Sequence, residues 1–146
     1  MKKLELSAES GYEALQSHLV ERAFKARKRY GPVIDMAAMQ ALLEDREFVR
    51  FPTTISFDAE PLGVNEFAWA KPMGERPSDG FTIVVHPFFE GATADLPLLI
   101  AYQLVAVNYL DLATANEAEV FASTLLGIEQ EEYYRRVCEL TDSIPS

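Results

Sequence analysis

The chain has 146 residues, 49% of them hydrophobic and 25% charged, which is ordinary globular usage and excludes a disordered or fibrous chain. Its net charge of −10 speaks against a nucleic-acid-binding role, because a phosphate backbone rewards surplus Lys and Arg. Cys138 is the single cysteine, so an internal disulfide and a cysteine-rich metal site are both excluded.

The first residues, Met1-Lys2-Lys3-Leu4-Glu5-Leu6-Ser7, meet acids where a secretory leader needs its apolar stretch, so a cytoplasmic location is expected. Ser10-Gly11-Tyr12-Glu13 has the form of a capping box and predicts the start of a first helix. Tyr12, Leu15, Leu19, Ala23 and Ala26 then give an apolar stripe, and Gly31-Pro32 ends it. Residues 1–31 hold seven basic side chains against four acids, a local charge of +3 that leaves −13 for the remainder. Lys25, Arg27, Lys28 and Arg29 lie where the helix dipole favours cations. They are expected to dock on the chain's own acids or on an acidic partner. Asp35 is the expected N-cap of a second helix, with Ile34 and Met39 as a hydrophobic staple and Met36, Met39, Leu42 and Leu43 on its apolar side.

Three segments rich in β-branched and aromatic residues follow, 53–57, 66–70 and 81–85, separated by proline and glycine, and they predict a small three-stranded sheet. Residues 73–80 read as an exposed loop. Leu96 to Leu110 carries no charge, yet its 15 residues fall short of the ~20 that cross a bilayer, so a central buried helix is expected, with Gln103 and Asn108 hydrogen-bonded inside, and no membrane association. Thr114 and Glu117 form a second capping-box pattern, with Ala118, Phe121, Ala122, Leu125 and Leu126 on one face and Gly127 as the stop. A last helix is expected over about 129–140, with Tyr133, Val137 and Leu140 inward. Two helices, three strands and three helices make one α+β domain spanning residues 1–146.

Chemistry-bearing residues are sparse. His18 and His86 are the only imidazoles, too few for a zinc enzyme, and no metal or cofactor is expected. His86, at the end of a strand, is the better functional candidate, with a hydrogen-bonded structural role as its plain alternative. The chain lacks G-x-S-x-G, G-x-x-x-x-G-K and G-x-G-x-x-G. Glu117, Glu119, Glu131 and Glu132 sit at helix N-termini, where solvated charges that complement the dipole are expected.

The stretch from Ala118 to Gly127, A-E-V-F-A-S-T-L-L-G, resembles the A-[D/N]-x-F-A-x-x-L-L pattern on the second helix of several zincin-like metallopeptidase families, and the resemblance extends over residues 67–127. It implies a small sheet followed by a buried active helix, with Tyr102-Gln103-Leu104-Val105-Ala106 in the place of H-E-x-x-H. Tyr102 and Ala106 then replace the two histidines and Gln103 the glutamate, and Ala115 falls at the third ligand with Glu117 the nearest acid. An amide cannot activate water as that glutamate does. The resemblance thus implies a vestigial cleft around Tyr102, Gln103, Ala106, Glu117 and Glu119, and a non-catalytic scaffold or module for a protein or peptide partner. Two other readings stand beside it: a small α+β enzyme centred on His86 with Tyr102 or Glu90, and a regulatory or assembly factor acting through the basic first helix.

Overall fold

The computed structural model describes residues 2–110 and 114–145, with side chains described from residue 13 onward. Helix α1 spans Lys2–Tyr30 and α2 Met36–Leu43; strands β1, β2 and β3 span Thr53–Phe57, Ala68–Pro72 and Phe81–Val85; helices α3, α4 and α5 span Leu96–Tyr109, Ala115–Leu126 and Gln130–Asp142. The α+β order expected from the sequence is the order found. Among the described residues no helix is long and apolar enough to cross a membrane.

Helix α1 begins well before the expected Ser10 start. Lys, Leu, Glu and Ala upstream of Ser10 are good helix formers, so the helix continues through the S-x-x-E pattern instead of opening at it. Leu19, Ala23 and Ala26 are fully buried, as their spacing requires, while the side chain of Tyr12 lies outside the described residues. Asp35 caps α2 as expected, its carboxylate accepting the Ala38 N–H at 2.9 Å, and Ile34 and Met39 are both buried in the core.

The sheet order is β1-β3-β2, with β1 parallel and β2 antiparallel to β3. Thr53, Ile55 and Phe57 share one face with Phe81, Ile83, Val85, Ala68 and Ala70, and α3 packs against β2 and β3. Gly80 joins the loop to β3 with φ of 92°, and an added Cβ would stand 2.7 Å from the Pro52 carbonyl oxygen, so only glycine fits there. Strand β2 starts two residues later than expected. The Glu66 carboxylate accepts the Gly63 N–H at 2.7 Å and holds a turn, so pairing opens with the His86 N–H bonded to the Phe67 carbonyl at 2.8 Å. Pro72 is tolerated because β2 is an edge strand. Residues 73–79 form an exposed loop, with a short 3-10 turn at Pro77–Asp79.

Helix α3 is buried along nearly its whole length, with the sheet on one side and α4 on the other; α4 in turn packs along α1. Its two buried amides are satisfied. Gln103 Nε2 reaches the Ala68 carbonyl at 3.4 Å, and Asn108 donates to the Phe48 carbonyl at 2.6 Å while accepting the Arg50 N–H at 2.9 Å. Gly127, at φ 74°, ends α4 in the left-handed conformation, and α5 is anchored by Tyr133, whose hydroxyl donates to the Leu98 carbonyl at 2.6 Å.

Candidate functional site

The residues of the expected vestigial cleft have four different sets of partners, with Glu119 near enough to Tyr102 for its charge to act there. Tyr102 is half-buried on α3, edge-on to Phe67 at 5.5 Å, and burial raises its pKa, with the nearby Glu119 charge adding to the shift. Its phenol therefore stays neutral at physiological pH. Ala106, one turn on, is half-buried and offers only a methyl group. Gln103 points instead to β2, where its amide is bonded to the strand. Glu119 faces α5, accepting from Gln130 Nε2 at 3.3 Å, and borders a hollow of about 330 Å3 with Gln130, Glu131 and Tyr134.

Glu117 departs from the sequence expectation. It is 2% exposed, not solvated, and its carboxylate accepts the Thr114 hydroxyl, so the two side chains bond each other in place of the reciprocal backbone bonds of a capping box. Residues two apart on a helix lie on different faces, which is why Glu117 and Glu119 do not share a site. Glu131 and Glu132 are exposed, as expected. Among the described residues no three His, Cys, Asp or Glu side chains are grouped to hold a metal ion.

His86 is half-buried at the end of β3 and caps the 3-10 turn Pro87–Phe89, its Nδ1 accepting the Phe88 N–H at 3.1 Å. Nδ1 is thus engaged by the chain's own backbone in the turn. It borders a hollow of about 360 Å3 with Glu66 and Asp142, and neither Tyr102 nor Glu90 lines it.

No family model, curated protein or solved structure matches the chain.

The first helix carries two features the apolar stripe did not disclose. On one flank, Val20 and Phe24 are 41% and 54% exposed and, with Gln16, Ser17 and Val120 of α4, border a groove of about 510 Å3. Phe24 also lines a second hollow of about 240 Å3 with Arg27, Lys28, Gly31 and Pro32. Val20 and Phe24 stand four apart, one position beyond Leu19 and Ala23, so the signal was a stripe wider than the core required.

The basic cluster does not act as one unit. Lys25 pairs with Glu21 at 3.2 Å; Arg29 binds Asp45 at 3.0 Å and Glu47 at 2.8 Å; Lys28 lies 5.8 Å from the Phe24 ring centre; and the buried Nε of Arg27 has no hydrogen-bond partner. The Tyr30 hydroxyl donates to Asp45 at 2.6 Å and holds that carboxyl below its ordinary pKa, with the Glu47 N–H and Arg29 assisting against a desolvation cost. The second feature, on the opposite flank of α1, is a hollow bordered by His18 and Arg22.

Proposed function

We propose that the protein is a non-catalytic module that binds an amphipathic helical segment of a partner protein, one with apolar anchors and an acidic end. The observation that carries this reading is the groove along α1, in which exposed Val20 and Phe24 lead to Arg27 and Lys28. An apolar floor with an end lined by two cations suits helix-in-groove recognition, and the cations select a carboxylate. Glu21, which also lines the groove, is paired with Lys25 at 3.2 Å. A zincin-like descent belongs to the same proposal, supported by the sequence resemblance over residues 67–127 and by the order of a small sheet followed by a buried helix. A cytoplasmic setting fits the single, half-buried Cys138.

Phe24 is 54% exposed, and covering that share of a side chain of ~200 Å2 removes about 100 Å2 from water, worth up to ~2.5 kcal/mol. The test is fluorescence anisotropy with two labelled helical peptides that share leucine anchors and differ in acidic or basic flanks. The acidic peptide is expected to bind and the basic one not. Phe24→Glu should weaken binding at least about tenfold, and Lys28→Glu with Arg27→Gln should remove the preference for acid. Equal binding of both peptides, or binding indifferent to Phe24→Glu, refutes the proposal.

A further inference from the structure

Three distant parts of the chain meet on the flank of α1 opposite the groove. His18 and Arg22 come from α1, Glu47, Phe48 and Arg50 from the segment between α2 and β1, and Asn108 and Tyr109 from the last turn of α3; together they border a hollow of about 310 Å3. We propose that this hollow is a binding site for a phosphoryl group, as inorganic phosphate or as the phosphate of a small monoester.

The first ground is how the two guanidinium groups are held. Arg22 Nη2 donates to the Glu47 carbonyl, and Arg50 Nη1 donates to the Asn108 carbonyl at 3.0 Å. Each side chain is thus oriented through one nitrogen, and the planar fork leaves further N–H donors for an oxyanion. Arg22 is additionally stacked 4.8 Å from the Phe48 ring centre, which fixes its plane. Asn108 orients Arg50 twice over, because its side chain also accepts the Arg50 backbone N–H.

The second ground is the phenol between them. Tyr109 is half-buried, its ring edge-on to His18 at 5.7 Å, and it borders the hollow together with Arg22 and Arg50; burial raises its pKa, with the two cations opposing the shift, so its hydroxyl keeps its proton and can donate. Two guanidinium groups, a phenol and an imidazole come to this hollow from three parts of the chain, and the several donors they offer can serve the several oxygens of a phosphoryl group.

The third ground is charge. Among the described residues Glu47 is the one carboxylate on the lining, and it is answered by Arg29 at 2.8 Å and Arg22 at 3.7 Å. Counting Arg22, Arg29 and Arg50 against Asp45 and Glu47 leaves one positive charge here, in a chain whose net charge is −10. The hollow is thus locally cationic in an acidic chain, which favours an anion there. This site does not depend on the peptide groove.

The test is titration calorimetry of the full chain with inorganic phosphate and, separately, with phenyl phosphate and acetate. One saturable phosphate site per chain is expected, with acetate weaker. Tyr109→Phe and His18→Gln leave the hydrogen bonds that hold Arg22 and Arg50 in place, and each should weaken phosphate binding roughly two- to tenfold, the loss of one hydrogen bond. Arg50→Gln should weaken it at least about tenfold by removing the charge that Glu47 does not offset. Tighter binding of phenyl phosphate than of phosphate identifies a monoester site, and the reverse identifies a site for the free ion; either supports the assignment. Absence of saturable phosphate binding, tighter binding of acetate, or affinity unchanged in Tyr109→Phe and His18→Gln overturns it.

Discussion

Asn108 is the residue whose loss should cost the fold most for the fewest atoms changed. It is 5% exposed, and its amide holds two main-chain groups of the segment between α2 and β1, the Phe48 carbonyl at 2.6 Å and the Arg50 N–H at 2.9 Å. Asn108→Leu keeps the volume close and removes both bonds at once. Each main-chain group left buried and unpaired costs about 1–3 kcal/mol, and exposure at Arg50 lets water repair part of the second, so the expected loss is about 2–4 kcal/mol. That is a large share of the ~5–15 kcal/mol typical of a domain, and it corresponds to a fall in Tm of roughly 6–12 °C. Gln103→Leu is the internal control, because that amide makes one long bond of 3.4 Å and its replacement should cost less than about 1 kcal/mol. Urea denaturation followed by far-UV circular dichroism measures both, and an unchanged slope assigns the difference to stability. The reasoning is refuted if Asn108→Leu lies within about 0.5 kcal/mol of the parent protein, or if Gln103→Leu costs as much.

Asp45 supplies a pH-dependent prediction. Its folded pKa is lowered, first by the Tyr30 hydroxyl, so its contribution is complete above the ordinary carboxyl value of 3.8 and is lost as pH falls through the lower folded value. The parent protein should therefore be more stable than Asp45→Asn at neutral pH, with the gap closing as pH falls below 3.8; a gap that stays constant through that acid range contradicts the assignment. On metal content, the purified protein after dialysis should hold far less than one zinc per chain by elemental analysis, because among the described residues no three His, Cys, Asp or Glu side chains are grouped to hold it. One zinc retained per chain would show that those side chains rearrange into a site.

Much of the architecture was legible because its causes act within a few residues. Asp35 caps α2 through an N–H three positions away, Gly127 stops α4 through its own backbone, and the uncharged run from Leu96 to Leu110 could only be enclosed. The three strands were readable from side-chain type, although the start of β2 was not, since the Glu66–Gly63 turn and the ladder to β3 decide it. The strand order β1-β3-β2 left no trace in local pattern. The candidate sites depended still more on packing. A capping-box pattern in the sequence became, in the packed helix, a buried Glu117 bonded to Thr114, and His86 caps the turn that follows it because that turn supplies an N–H. Arg22, Arg50 and Tyr109 are unremarkable where they stand in the sequence; α1, the segment between α2 and β1, and the end of α3 bring them together because all three close on one core that includes Leu19, Phe48, Val49 and Leu104. Periodicity and capping are properties of neighbours along the chain, whereas convergence is set by which apolar faces close on one another, and that is decided only when the whole core forms.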